Sequence, residues 1–131
     1  MVISGNVMVD RKQKETTRNV VLDETSDMEA FRSWAESFQG SADMEGEKPL
    51  SVMQISHSGR QTPISVTGFR RRPMSISGSR LRIPGIVGAI LSRTSVLPPK
   101  RMGREALQKV VTQFATTAKL AQEAGFDWSA N

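Results

Sequence analysis

Apolar residues recur along the chain in two short runs and two helical stripes, with polar linkers between them. Residues 1–9 and 50–55 are rich in Val, Ile and Met and predict strands. Residues 25–38 predict a helix whose apolar face carries Phe31, Trp34, Ala35 and Phe38, at the i, i+3, i+4, i+7 spacing of one helix face.

The ends of the two helices carry capping signals. Ser26 followed by Glu29 has the spacing of a capping box, so Ser26 is the predicted N-cap of the first helix. Residues 105–124 predict the second helix, and Gly125 stands where a left-handed C-terminal cap belongs. The predicted apolar stripe of this second helix consists of Leu107, Val110, Val111, Phe114, Ala118 and Ala121.

The order strand, helix, strand, helix predicts a parallel sheet with right-handed crossovers. Between the second strand and the second helix, residues 57–103 show no hydrophobic period and contain five prolines. We therefore expect residues 61–103 to be largely irregular, apart from a helical turn at residues 86–91 in the apolar patch 83–91. We treat residues 1–131 as one incomplete domain.

Charge is unevenly distributed, although the net charge is only +5. Residues 51–104 carry ten basic side chains and no acidic one. The chain has no cysteine, which excludes disulfides, thiolate metal sites and cysteine nucleophiles and suits a reducing, cytoplasmic compartment. We identify no metal site and no catalytic residue, and we expect no membrane span.

Three stretches together resemble the NADH:flavin oxidoreductase (Old Yellow Enzyme) family of FMN-containing (β/α)8 barrels. Residues 3–7 (Ile-Ser-Gly-Asn-Val) are similar to its second barrel strand. Residues 54–61 (Gln-Ile-Ser-His-Ser-Gly-Arg-Gln) resemble its third-strand motif, and residues 110–127 resemble a helix ending in Glu-Ala-Gly-Phe-Asp. The resemblance implies an α/β fold, a partial (β/α)8 TIM barrel comprising about strands two and three with their helices.

The resemblance implies two cofactor-binding positions. Gln54 corresponds to the glutamine that hydrogen-bonds the pyrimidine edge of FMN, and its carboxamide offers both a donor and an acceptor to that edge. Gly5 corresponds to the position where backbone approaches the flavin, although a glycine in a strand can equally mark a bulge. The implied chemistry is hydride transfer from NAD(P)H through FMN to an activated alkene.

Departures from the family pattern predict a fragment without activity of its own. The family's His-x-x-His or His-x-x-Asn pair, which binds the substrate carbonyl, has no counterpart in residues 128–131, and the chain has no tyrosine to donate a proton. Residues 128–131 also lack the apolar run expected of a third strand. His57 and Arg60 belong to the third-strand motif and are interpreted as structural.

Two alternatives remain open at the level of sequence. Residues 60–104 could form a basic module that binds nucleic acid or an acidic partner, although Phe69 is the one aromatic residue available for base stacking there. A product without function, from a shortened reading frame, is the other. Oligomeric state and substrate are not defined by the sequence.

Overall fold

The computed structural model describes residues 1–40, 48–67, 74–76 and 100–130. Three elements are long: helix α1 (Met28–Gln39), strand β3 (Ser51–Ser56) and helix α3 (Arg104–Glu123). The shorter elements are β1 (Val2–Ile3), β2 (Val7–Met8), a 3-10 turn (Gly59–Gln61), α2 (Ile64–Thr67), β4 (Met74–Ser75), β5 (Lys100–Arg101) and β6 (Trp128–Ala130).

Strand β3 is the centre of the main sheet, and every strand that pairs with it runs parallel to it. Strands β1 and β2 pair with residues 51–52 and 55–56 of β3, respectively. Strand β6 pairs with residues 52–54. The predicted parallel pairing of the first two apolar runs is therefore confirmed.

The first predicted strand is interrupted by a bulge. Ile3 is opposite Val52 and Val7 is opposite Ile55, so three residues of the first segment face two residues of β3. The Val52 carbonyl accepts from the Ser4 amide and the Ser56 carbonyl accepts from the Val9 amide. Because alternate residues of a strand present their backbone groups to the same edge, β1 and β2 lie on one edge of β3. The other edge of β2 is covered by residues 20–22, where the Met8 amide donates to the Val20 carbonyl at 2.8 Å.

Residues 128–131 lack the apolar run expected of a third strand, but a strand forms there all the same. Residues 128–130 form β6, in register with Val52 to Gln54. Parallel pairing is made by backbone groups, and β3 presents a row of them on this edge, so a strand forms here without an apolar run.

The N-cap of the first helix lies one residue later than predicted, and the helix begins at Met28 instead of at residue 25. Asp27 is the N-cap, and its carboxylate accepts hydrogen bonds from the Glu29 and Ala30 amides. The predicted cap, Ser26, instead accepts from the Asp23 amide and donates to the Val21 carbonyl. Both side chains are good caps, and Ser26 is held in the preceding turn.

The second helix ends as predicted. Gly125 has a φ of 96°, its amide donates to Gln122, and the Phe126 amide donates to Ala121. These two bonds form a Schellman motif, which requires the left-handed conformation that glycine adopts without strain. Within the predicted stripe Val111 is misplaced, since it is 61% exposed, whereas Thr117 is buried.

Helices α1 and α3 pack on the same face of β3 and enclose the core. Phe126 contacts the rings of both Trp34 and Phe38 edge-on, at centroid distances of 5.7 and 5.8 Å. These contacts pack the segment that follows α3 against the C-terminal half of α1. The buried core cluster comprises Val7, Val9, Leu22, Phe31, Ala35, Met53, Ile55, Ala121, Ala124 and Phe126.

The segment 61–103 is described only in part. Its described residues include α2 and the short parallel pair of β4 and β5, so these parts are more ordered than predicted. The expected turn at residues 86–91 lies outside the described residues. Among the helices that the structure describes, none is long and apolar enough to cross a membrane.

Asp127 joins the start of β6 to the start of β3. Its carboxylate accepts from the Ser51 amide at 2.7 Å and from the Ser51 hydroxyl at 2.8 Å, while its own amide donates to the Ser51 carbonyl at 2.9 Å. The Ser51 amide, followed by the Ser51 hydroxyl, lowers the pKa of Asp127. The ionised form is therefore favoured in the folded chain.

We predict a pH-dependent contribution of Asp127 to stability. Because its folded pKa is lowered, the contribution is present above the ordinary aspartate pKa of about 4 and is lost as the pH falls through the folded value. Asp127→Asn keeps an acceptor for Ser51 but cannot titrate. The difference in Tm between the wild-type chain and Asp127→Asn should therefore shrink between about pH 7 and about pH 2. A difference that stays constant over this range would contradict the prediction.

Candidate flavin-binding edge

Gln54 lies on the face of β3 opposite to the helices. Its neighbours Met53 and Ile55 are in the core, and side chains alternate along a strand, so Gln54 points away from the core. Its side chain is exposed. The structure therefore presents a carboxamide, one donor group and one acceptor, on the open face of the sheet.

Gly5 lies beside Gln54, within the bulge between β1 and β2. It is exposed, and a Cβ built on it would have no heavy atom within 4 Å. Its φ is not in the left-handed region, unlike those of Gly40, Gly59 and Gly125. The described structure thus gives neither a conformational nor a steric reason for glycine at this position.

Ser4 connects these two residues, and sequence reasoning did not single it out. Its hydroxyl accepts from the backbone amide of Gln54 at 2.9 Å and donates to the backbone carbonyl of Gly5 at 2.8 Å. Ser4 is only 4% exposed. The available signal was a serine in an apolar strand immediately before a glycine, where a hydroxyl can replace a missing backbone partner.

His57 forms a local turn after β3. Its Nδ1 accepts from the Gly59 amide at 3.0 Å, while its Nε2 is buried with no partner among the described residues. Burial lowers the pKa of His57, against the opposing effect of the nearby Asp10 carboxylate. Gly59 has a φ of 49°, which the turn requires. The turn accounts for Nδ1 only, so the structural interpretation of His57 stays a prediction.

Four basic residues of the run 60–104 lie within the described ranges. Arg60, Lys100, Arg101 and Arg104 are exposed. Residues 70–72, with their three consecutive arginines, lie outside the described ranges. The basic-module alternative therefore stays a prediction.

A buried polar network fixes the loops that follow β2 and β3. Thr62 is fully buried, and its hydroxyl lies 2.9 Å from the Gln13 Oε1 and 2.6 Å from the Ser58 hydroxyl. The Thr62 hydroxyl is also 3.0 Å from the Gly59 carbonyl. Gln13 and Thr62 are distant in sequence, so the network joins two loops that both start at the carboxyl end of the sheet.

A cleft of about 930 Å³ lies away from Gln54, between α3 and the loop after β2. Its walls include Asp10, Lys12, Gln108 and Gln113. The loop wall is held by Arg11 and Asp23, whose side chains form two hydrogen bonds of 2.6 and 2.8 Å. Neither Gly5 nor Gln54 lines this cleft, so it is separate from the predicted flavin edge. Among the described residues no group of three or more acidic or histidine side chains could hold a metal ion.

Sequence comparison finds relatives with one shared description. The chain is 32% identical to an NADH-dependent flavin oxidoreductase of Neonectria sp. (strain DH2), over 96% of this chain and 17% of that protein. It is 31% identical to one of Talaromyces variabilis, over 96% of this chain and 31% of that protein. The chain thus spans well under half the length of these curated relatives. No protein-family model matches it.

Structural comparison finds the same fold in longer enzymes. Morphinone reductase in complex with tetrahydroNAD matches with a TM-score of 0.70 at 15% identity, over 97% of this chain and 34% of that one. The old yellow enzyme homologue of Zymomonas mobilis matches with a TM-score of 0.67 at 19% identity, over 97% of this chain and 33% of that one.

The matches to these longer enzymes define the fold as a segment of a (β/α)8 barrel. The strands that the structure describes form an open parallel sheet with helices on one face. The recognition of the NADH:flavin oxidoreductase (Old Yellow Enzyme) family from the sequence is confirmed by these relatives. The chain matches only a part of the length of each of these proteins.

We predict that the Thr62 network stabilises the chain measurably. Thr62→Val keeps the volume but leaves the Gln13 and Ser58 groups without their buried partner, which should cost about 1–3 kcal/mol in urea unfolding. Thr112→Val is the matched control, because the Thr112 hydroxyl is exposed and bonds within α3. Its effect should stay within about 0.5 kcal/mol. Equal effects of the two substitutions would contradict the importance of the network.

Proposed function

We propose that this chain is a segment of an FMN-dependent NAD(P)H:flavin oxidoreductase and supplies part of the flavin-binding edge. Gln54 hydrogen-bonds the pyrimidine edge of the isoalloxazine, and Gly5 lets the neighbouring backbone approach the ring. The observation that carries the proposal is the exposure of Gln54 on the open face of β3, directly beside Gly5.

The residues present fit this role chemically. The pyrimidine edge alternates carbonyl and N–H groups, and the Gln54 carboxamide can both donate to it and accept from it. Gly5 has open space over it, so a planar ring can approach the backbone without displacing a side chain. When bound, FMN would supply hydride transfer between NAD(P)H and an activated alkene, while the protein binds and orients it.

Binding by this chain alone is proposed to be weak. Two hydrogen bonds from Gln54 contribute about 0.5–1.5 kcal/mol each, whereas a micromolar Kd requires about 8 kcal/mol. The chain spans 17% and 31% of the lengths of the two relatives. The proposal therefore assigns it no NAD(P)H-dependent alkene reduction of its own. We place the parent chemistry in the cytoplasm, which the absence of cysteine suits.

The role of Gln54 is tested by titrating the chain with FMN and following flavin fluorescence. We expect a Kd far above the micromolar range, raised about five- to 150-fold by Gln54→Ala, which removes both hydrogen bonds. Gln122→Ala is the control, because Gln122 is exposed on α3, away from this edge.

Two results of this titration would contradict the proposal in different ways. A Kd unaffected by Gln54→Ala would remove Gln54 from the flavin site. A micromolar Kd that is lost on Gln54→Ala would show that the chain alone holds a working cofactor site, against the proposed weak binding.

The role of Gly5 is tested by separating stability from binding. Gly5→Ala should leave the free energy of unfolding unchanged or raise it by up to about 1 kcal/mol, because the backbone conformation and the open space allow alanine. The same change should weaken FMN binding. Gly125→Ala is the control, since its φ of 96° should make alanine destabilising. Unchanged FMN binding by Gly5→Ala would exclude close approach of the flavin at this position.

A further inference from the structure

The bulge between β1 and β2 leaves a gap in the ladder beside Gln54. The Ser4 amide donates to the Val52 carbonyl at 2.9 Å, which continues the parallel pattern from Val2. In an uninterrupted parallel ladder the next bond would run from the Gln54 amide to the Ser4 carbonyl. Here the backbone amide of Gln54 donates to the Ser4 hydroxyl instead.

The Ser4 hydroxyl uses its proton on the Gly5 carbonyl. One hydroxyl group therefore accepts from the Gln54 backbone amide at 2.9 Å and donates to the Gly5 carbonyl at 2.8 Å, in a residue that is 4% exposed. A hydroxyl can act in both directions at once, whereas alanine can act in neither. Because the site is buried, solvent would replace these bonds only if the bulge opened.

We propose that Ser4 is a positioning residue for the flavin-binding edge. It fixes the peptide group of Gly5 and the backbone of Gln54 relative to each other, so that the open backbone and the carboxamide are presented to the ring in one arrangement. This inference rests on the proposed function, and it adds a residue that does not itself touch the cofactor. The bulge is then part of the site, since bulges beside active sites commonly change the direction in which a side chain or backbone group points.

The first measurement tests the geometry without any ligand. Amide hydrogen exchange, read by NMR, is compared for the wild-type chain, Ser4→Ala and Ser4→Thr. Ser4→Ala should speed exchange at Gln54 more than at Met53 and Ile55, and Ser4→Thr should restore protection because it keeps the hydroxyl. Exchange at Gln54 that is insensitive to Ser4→Ala would overturn the proposal whatever the chain binds.

The second measurement is the FMN titration of the same variants. Ser4→Ala should raise the Kd by about three- to ten-fold, and Ser4→Thr should return it toward the wild-type value. Thr117→Val is the matched control, because Thr117 is also a buried hydroxyl donating to a backbone carbonyl, that of Leu22 at 2.8 Å. It should lower Tm and leave the Kd unchanged.

The outcomes separate this inference from the proposed function. Faster Gln54 exchange with an unchanged Kd would show that Ser4 is merely structural and would overturn the positioning role. A Kd lowered by Gln54→Ala or unaffected by it would instead contradict the proposed function, and with it the flavin-directed role of Ser4. If Ser4→Ala and Thr117→Val change the Kd equally, the effect is due to general destabilisation of the chain, and the positioning role of Ser4 is contradicted.

Discussion

The pairing of β3 on both of its edges is the constraint on which the rest of the structure depends. One edge holds β1 and β2, and the other holds β6, so segments from both ends of the chain meet on six residues. The helices between these segments must then cross the same face, where Met53 and Ile55 are buried against them. The hydrogen bonds between Ser51 and Asp127 stabilise this arrangement where β3 and β6 begin. The contacts of Phe126 with Trp34 and Phe38 stabilise it where α1 ends.

The same constraint creates the candidate site. Because side chains alternate along β3, burying Met53 and Ile55 turns Gln54 to the opposite face. The bulge brings Gly5 beside it, and the Ser4 hydroxyl closes the gap that the bulge opens. Core packing on one face and the presentation of polar groups on the other are thus two consequences of one strand.

Periodic and motif signals predicted most of the fold. The two helices, the parallel pairing and the Gly125 cap follow from local patterns that tertiary contacts reinforce. The Gln54–Arg60 motif indicated the family, which the relatives confirm. Ser26 and Asp27 are adjacent residues of similar capping ability, so local preference alone could not choose between them.

The features that escaped prediction depend on residues distant in sequence. Strand β6 forms because β3 offers it backbone partners, not because residues 128–130 are apolar. The Gln13–Thr62 bond joins two loops whose proximity is known only once the sheet is built. Ser4 gains its role only when Gln54 is placed opposite the bulge.

Mapping FMN-induced chemical-shift changes on the amides of the chain tests the central claim most directly, since it detects weak binding and locates it. The account predicts that the largest changes fall on the Gly5 amide and on the backbone and side-chain amides of Gln54. Changes concentrated on Asp10, Gln108 and Gln113 would place the ligand in the cleft beside α3. Such a result, or no change at Gly5 and Gln54, would contradict a flavin-binding edge on the open face of β3.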